Sequence, residues 1–250
     1  MTKILVDAGT SWSKILEIYS PNDDLENSPL NNYIDYIHSE NVELKDIEGN
    51  RVNGRYFIMS SSQLSKTNLV FDKATGHMIK NMLRNKKDYE NEVISLALGA
   101  QKILPDLKDA TVVDLGSRDA KWVRFKDGKY TDLDWNGACG SATGATVEML
   151  CKFYNINPSE IDIQDSRYPV TCGVFAMEKI MDDIAKDVPA EVAVSKYIHG
   201  IAYNTWKFAG KPDNIFLSGG FCLNKCFIES LKLYCEVTPL GRFMLLEGLF

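Results

Sequence analysis

The stretch Thr111–Met149, TVVDLGSRDAKWVRFKDGKYTDLDWNGACGSATGATVEM, decides the fold. It begins with a short apolar strand, turns at Asp114 and enters a second strand. The Asp-Gly pair at 127–128 is typical of a tight hairpin turn, so a third strand should follow. A loop of small residues, Asn136–Gly144, then precedes a helix. A strand, an acidic turn and a Gly/Ser/Thr loop are together typical of sites that bind a nucleotide phosphate and its metal ion.

The N-terminus repeats the first part of this pattern. A short apolar run before Asp7 predicts a buried strand, and Lys14–Tyr19 predicts a second strand of the same hairpin. Lys14 follows Asp7 by seven residues, just as Lys121 follows Asp114 by seven. The recurrence indicates two duplicated lobes whose hairpins hold one magnesium nucleotide between them. Taken alone, the first segment also fits a plain hairpin with an Asx-type turn.

Three sets of residues are candidates for the chemistry. The candidate catalytic residues are carboxylates suited to magnesium-bound water or to a proton: Asp7, Asp114 and Asp119. The candidate nucleotide-binding residues offer bare backbone, hydroxyl, amide or amine groups: Gly9, Thr10, Ser11, Ser13, Lys14, Gly116, Ser117, Lys121, Gly219, Gly220 and Asn224. The last three belong to a strand–Gly-Gly–helix unit where an adenine or ribose can lie against backbone. A plain strand–helix turn is the alternative for that unit.

The cysteines give a weaker signal. No Cys-x-x-Cys pair occurs among the six cysteines, so no self-contained zinc or ferredoxin motif is present. Cys139 lies in the Gly-rich loop ahead of one helix, and Cys172 lies at the start of another, where a thiolate is favoured. Buried free thiols are the usual explanation for isolated cysteines, and a metal site shared by Cys139 and Cys172 is the alternative.

Composition limits the classes of function. The net charge of −6 and the pI of about 5.2 argue against a nucleic-acid partner. The sequence contains no run of about 20 apolar residues, so no membrane-spanning helix is predicted. The first residues enter a strand without a signal-peptide pattern, so a cytoplasmic location is expected. We expect two domains, 1–107 and 108–250, with the last helix able to pack on the first.

The remaining elements are predicted from periodicity and turn residues. Asn53-Gly54 predicts a hairpin turn between strands Lys45–Arg51 and Arg55–Ser60. Apolar spacing predicts helices at Tyr89–Leu104, Gly173–Lys186, Pro189–Ala209, Leu223–Tyr234 and Pro239–Phe250.

Three motifs resemble a known superfamily. Asp7-Ala-Gly-Thr, Asp114-Leu-Gly-Ser and Leu217-Ser-Gly-Gly resemble the phosphate-1, phosphate-2 and adenosine motifs of the actin/Hsp70/sugar-kinase ATPases. Within that superfamily, the chain resembles the BadF/BadG/BcrA/BcrD group, the activators (archerases) of 2-hydroxyacyl-CoA dehydratases. The segments Asp114–Lys121 and Cys172–Ala176 are similar to its DIGGQDxK and Cys-x-Val-Phe-Ala motifs, and 136–144 is similar to its cysteine loop.

The resemblance implies a fold and an activity. The fold would be a two-lobed actin-like (ribonuclease H-like) α/β ATPase with the nucleotide cleft between duplicated lobes. The protein would be a homodimer that binds ATP and Mg²⁺ and shares one 4Fe–4S cluster, held by Cys139 and Cys172 of each subunit. ATP hydrolysis would drive a low-potential electron to a partner dehydratase or reductase, and a ferredoxin or flavodoxin would restore it.

Several positions depart from the family pattern. Ser117 and Arg118 replace a glycine and a glutamine, Ala142 replaces a glycine, and Leu96 replaces a histidine. These changes are expected to affect the hydrolysis rate and the choice of partner.

Two alternatives remain open at the level of sequence. One is a small-molecule (sugar-type) kinase of the same superfamily, with Asp114 or Asp119 as general base. That function needs a sugar pocket, and the polar region Ser20–Val70 shows no recognisable one. The other is an ATP-binding regulator that has lost turnover.

Overall fold

Two five-stranded sheets organise the chain. The computed structural model describes residues 2–20, 23, 25–33, 38–46, 49–77, 79–104, 107–136, 143–170 and 173–250. The chain divides into two units, Met1–Pro105 with Phe243–Phe250, and Asp106–Arg242. Within those described ranges, no helix has both the length and the apolar character needed to cross a membrane.

The first unit contains a mixed sheet with α-helices beside it. Its strands are β1 (Lys3–Ala8), β2 (Trp12–Tyr19), β3 (His38–Lys45), β4 (Arg51–Ser60) and β5 (Lys73–Gly76), in the order β3-β4-β2-β1-β5. Its helices are α1 (Ser61–Leu64), α2 (Glu92–Ile103) and α7 (Met244–Leu249). Strand β1 pairs antiparallel with β2 and parallel with β5.

The central strands β1 and β2 of the first sheet are buried on both faces. Ile4 and Val6 of β1 point into one cluster, and Leu5 points into another that includes Leu246 of α7. Successive side chains of a strand point to opposite faces, so a strand covered on both sides is continuously apolar. Helix α7 also packs on α2, where the Lys102 Nζ atom lies 3.1 Å from the Oε2 atom of Glu247.

The second unit repeats this architecture. Its strands are β6 (Asp109–Leu115), β7 (Ala120–Lys126), β8 (Lys129–Asn136), β9 (Asn214–Ser218) and β10 (Glu236–Gly241), in the order β10-β9-β6-β7-β8. Its helices are α3 (Gly144–Phe153), α4 (Gly173–Ile184), α5 (Ala190–Phe208) and α6 (Lys225–Lys232). Strand β6 pairs antiparallel with β7 and parallel with β9, as β1 pairs with β2 and β5.

The core of the second unit lies between its sheet and its helices. Helix α5 is buried along most of its length, and its Tyr197, Ile198 and Ile201 belong to the same apolar cluster as Leu217 of β9. The strand–turn–strand and strand–turn–helix order predicted for this half of the sequence is confirmed.

Two sequence predictions are wrong. Asn53-Gly54 is not a turn, because both residues lie inside β4, which pairs antiparallel with β3 from Arg51 onward. A Cβ at Gly54 would come within 3.0–3.2 Å of the Leu16 and Leu44 side chains, so the glycine serves packing. Pro239 does not begin the last helix, because it lies in edge strand β10, where the missing N–H costs no ladder bond.

Candidate functional site

The first hairpin places an aspartate against a lysine. Asp7 lies within β1, one residue before its end, and is the direct cross-strand partner of Lys14 in β2. The Lys14 Nζ atom donates to Asp7 Oδ2 at 2.7 Å, and the Asp7 side chain is buried. Asp7 and Lys14 are seven residues apart in the sequence because one tight hairpin turn connects them as cross-strand partners.

The turn of this hairpin is held from outside by the start of α1. The Ser61 hydroxyl donates to the Gly9 carbonyl oxygen at 2.6 Å and lies 2.8 Å from the Ser13 hydroxyl. The Ser61 backbone N–H donates to the Ser11 carbonyl oxygen at 2.9 Å. Thr10 is exposed at the tip. The predicted nucleotide-binding residues of the first hairpin thus lie together on one braced turn.

The second hairpin has the same register and a richer set of partners. Asp114 of β6 is the cross-strand partner of Lys121 of β7. The Lys121 Nζ atom lies 4.0 Å from Asp114 Oδ2 and donates to Asp119 Oδ1 at 2.9 Å. The Ser218 hydroxyl donates to Asp114 Oδ1 at 2.9 Å, and the Trp135 indole N–H donates to Asp119 Oδ2 at 2.7 Å.

The turn of the second hairpin is joined to the start of α3. The Gly116 N–H donates to the Asp119 carbonyl oxygen at 3.0 Å and closes the turn. The Ser117 carbonyl oxygen accepts from the Thr143 hydroxyl at 2.6 Å and from the Ala145 N–H at 2.9 Å. Helix α3 and the acidic turn therefore form one local structure.

A third strand completes each hairpin in the same way. Thr75 of β5 is the parallel partner of the aspartate in the first hairpin, and Ser218 of β9 is the partner of that in the second. A glycine follows in each case, Gly76 with φ of 95° and Gly219 with φ of 88°. A Cβ at either position would overlap backbone atoms of the adjacent strand. In both hairpins the aspartate therefore lies beside a threonine or serine that is followed by a glycine, and we call this pair of residues the Thr/Ser-Gly step.

The charges of the second hairpin suit a divalent cation. Asp114, Asp119 and Lys121 are all buried, and together they carry two carboxylates and one ammonium group. This set has a formal charge of −1, and Mg²⁺ is bound in proteins by one or two carboxylates together with water and phosphate oxygens. The donor set therefore fits a magnesium nucleotide.

The strand–Gly-Gly–helix unit leaves backbone accessible. A Cβ at Gly220 would meet no atom within 4 Å, whereas one at Gly219 would overlap β6. The Asn224 side chain accepts from the Phe227 N–H at 2.8 Å and caps α6. Asn224 therefore has a structural contact in addition to its predicted role, and Gly220 offers open backbone.

The predicted cluster ligands, Cys139 and Cys172, lie outside the described residues. Within the part of the chain that is described, no group of three or more His, Cys, Asp or Glu residues is arranged to hold a metal ion. Burial raises the pKa of the Cys151 and Cys235 thiols to about 11, and burial also raises the pKa of Cys226. These three thiols have the properties of structural cysteines.

Sequence reasoning missed several residues of the two sites. Thr75 and Gly76 carry a detectable signal, because Ala74-Thr75-Gly76 has the same pattern as Leu217-Ser218-Gly219 at the end of a short strand. Trp135 carries none, because its contact depends on how separate segments pack, and Thr143 lies in the predicted loop 136–144 although its hydrogen bond to Ser117 was not predicted. Ser61 likewise reaches the first turn from a distant element.

No family model matches the chain. The (R)-2-hydroxyglutaryl-CoA dehydratase activating ATPase of Acidaminococcus fermentans is 22% identical over 204 residues, which are 74% of this chain and 76% of that protein. The activator of lactoyl-CoA dehydratase from Anaerotignum propionicum is 24% identical over 184 residues, which are 68% of each chain. The resemblance to dehydratase activators found in the motifs is therefore confirmed.

Solved structures agree on the fold. The activator of the 2-hydroxyisocaproyl-CoA dehydratase from Clostridium difficile, solved with bound ADPNP, superposes with a TM-score of 0.67. It is 20% identical, and the match covers 100% of this chain and 92% of that one. The α/β fold class expected from the sequence is confirmed. The chain is thus similar in sequence to the dehydratase activators over most of its length and has the fold of the actin-like ATPases.

Proposed function

We propose that the chain is an ATP-dependent activator of a 2-hydroxyacyl-CoA dehydratase or a related reductase. The observation that carries the proposal is the doubled Asp–Lys register, Asp7 with Lys14 and Asp114 with Lys121, each beside a Thr/Ser-Gly step. The names of the two curated relatives, an activating ATPase and an activator, support the same function.

Each hairpin has a stated role in this proposal. Asp7 and Asp114 would hold the magnesium ion through its water ligands, and Lys14 and Lys121 would supply positive charge to the phosphate oxygens. Backbone N–H groups of the two turns, at 9–11 and at Ser117, donate to the phosphates. Asp119 orients the attacking water and accepts its proton.

The nucleoside part is assigned to the Gly-Gly unit. The open backbone of Gly220 lies at the end of β9, next to the strand that carries Asp114. Bare backbone lets a flat ring or a ribose approach closely. The ADPNP bound to the C. difficile activator supports an adenine nucleotide as the ligand.

The electron-transfer part of the proposal rests on two cysteines. Cys139 and Cys172 precede α3 and α4 in the sequence, and in a homodimer two copies of the pair would supply the four thiolates of a 4Fe–4S cluster. When bound, such a cluster would supply a low-potential electron to the partner dehydratase, after reduction by a ferredoxin or flavodoxin.

An anaerobic iron and sulfide assay with EPR, with and without ATP, tests this function. We expect about four iron atoms per dimer and an EPR signal that changes with ATP. Cys139→Ser and Cys172→Ser should each abolish iron binding and leave ATP binding intact, while Cys235→Ser should keep both. Full iron content in either of the first two variants would refute the ligand assignment. A colourless wild-type protein that phosphorylates a sugar would show the kinase alternative to be right.

A further inference from the structure

Trp135 lies where β8 passes the acidic turn of the second hairpin. It is the direct cross-strand partner of Lys121. Its indole N–H donates to Asp119 Oδ2 at 2.7 Å, while Lys121 Nζ donates to Asp119 Oδ1 at 2.9 Å. Each oxygen of the Asp119 carboxylate therefore has its own donor, and the two donors together fix the plane of the group.

Asp119, Lys121 and Trp135 contact one another, and only one of the three side chains is exposed. The Lys121 Nζ atom lies 5.7 Å from the centre of the Trp135 ring. Asp119 is 7% exposed and Lys121 is 2% exposed, whereas Trp135 on the edge strand is 39% exposed. An indole N–H only donates, and hydrogen bonds to a charged acceptor are stronger than those between neutral groups. The indole therefore covers the ion pair and orients its carboxylate.

We propose that Trp135 is a positioning residue for Asp119, and that its indole emission reports when a magnesium nucleotide engages the second hairpin. The inference rests on the proposed function, in which Asp119 orients the attacking water. In this role Trp135 acts through the carboxylate that its N–H holds. Its loss should lower the rate of the chemical step without weakening nucleotide binding in proportion.

Trp135→Phe is the direct test, because phenylalanine keeps a ring and removes the N–H. Loss of one hydrogen bond to a charged group predicts a fall in the kcat for ATP of about tenfold. The KM for ATP should stay within about twofold, as expected for an interaction used mainly in the transition state. Trp206→Phe is the matched control, since that half-buried indole donates to the Pro212 carbonyl oxygen at 3.1 Å. It should leave kcat unchanged.

A double-mutant cycle separates positioning from a general structural effect. In an Asp119→Asn background, Trp135→Phe should lower kcat by much less than in the wild type, because the carboxylate that it holds is gone. Addition of MgATP should change the tryptophan emission of the wild type and of Trp206→Phe, and the change should be clearly smaller in Trp135→Phe.

Three outcomes would overturn the inference. They are an unchanged kcat in Trp135→Phe, an equal fall in both tryptophan variants, and an undiminished effect of Trp135→Phe in the Asp119→Asn background. Absence of ATP hydrolysis in the wild type would instead overturn the proposed function. The two failures are therefore distinguishable in one set of assays.

Discussion

Replacement of Lys121 by methionine removes a buried cation from between two carboxylates. The Lys121 Nζ atom lies 2.9 Å from Asp119 Oδ1 and 4.0 Å from Asp114 Oδ2, and all three side chains are buried. Methionine keeps most of the volume of the lysine stem and has no charge. The variant therefore leaves the carboxylates of Asp114 and Asp119 buried without the Lys121 ammonium group.

The expected cost follows from burial. Removal of one partner from a buried ion pair destabilises a protein by about 3–5 kcal/mol. For a chain of 250 residues, each kcal/mol lowers Tm by about 2–4 °C, so a fall of about 6–20 °C is expected. Lys232→Met is the matched control, since the Lys232 Nζ atom lies 2.9 Å from Glu229 in an exposed pair, and it should cost less than about 1 kcal/mol.

The assay is thermal unfolding without nucleotide or magnesium, followed by circular dichroism and calorimetry. The double variant Lys121→Met/Asp119→Asn should recover part of the lost stability, because an uncharged amide then replaces one of the two carboxylates. If Lys121→Met and Lys232→Met differ in Tm by less than about 2 °C, the buried ion cluster does not stabilise the hairpin as reasoned.

Three further predictions concern single positions in the second unit and their counterparts. Gly219→Ala should destabilise the protein by about 1–3 kcal/mol in urea unfolding, because Gly219 has a φ of 88° and an added Cβ would overlap β6. Gly220→Ala should be nearly neutral in the same assay, and equal losses of stability in the two variants would contradict this reasoning. Ser218→Ala should cost about 1–3 kcal/mol through its lost hydrogen bond to a buried carboxylate. Thr75→Val should be nearly neutral, because the buried Thr75 hydroxyl has no hydrogen-bond partner among the described residues. A larger loss of stability in Thr75→Val than in Ser218→Ala would contradict this difference between the two hydroxyl groups. Alkylation of Cys151, mapped by peptide mass spectrometry, should accelerate about tenfold per pH unit below its pKa of about 11, because burial raises that pKa, and a plateau reached below about pH 9 would refute it.

The sequence predicts the two hairpins because their signals are local. An apolar run, an acid, a small-residue turn and a lysine seven residues later lie within one stretch, and Asp7–Lys14 and Asp114–Lys121 prove to be cross-strand pairs. The register follows from the turn, since a tight hairpin fixes which residues face each other. The helices α2 and α5 are predictable for a similar reason, because their apolar spacing spans three or more turns.

The parts that sequence reasoning missed depend on distant segments. Thr75 becomes a neighbour of the first aspartate through a parallel pairing, and no local pattern specifies that pairing. Trp135 and Thr143 reach the second turn from β8 and from the start of α3. The prediction at Gly54 fails because a glycine required by crowding in a sheet has the same letter as one required by a turn. The prediction at Pro239 fails because the exclusion of proline from strands does not apply at a sheet edge.

Steady-state hydrolysis of MgATP by isosteric aspartate variants tests the central claim most directly. Asp7→Asn and Asp114→Asn should each lower kcat/KM by about 100-fold, because the proposed function requires both aspartates for the magnesium nucleotide. The double variant should be little worse than either single one, since residues that act as a unit are not additive. Asp213→Asn, which changes an exposed aspartate, should match the wild type. Hydrolysis at the wild-type rate in both single variants would contradict a role for the paired acidic hairpins.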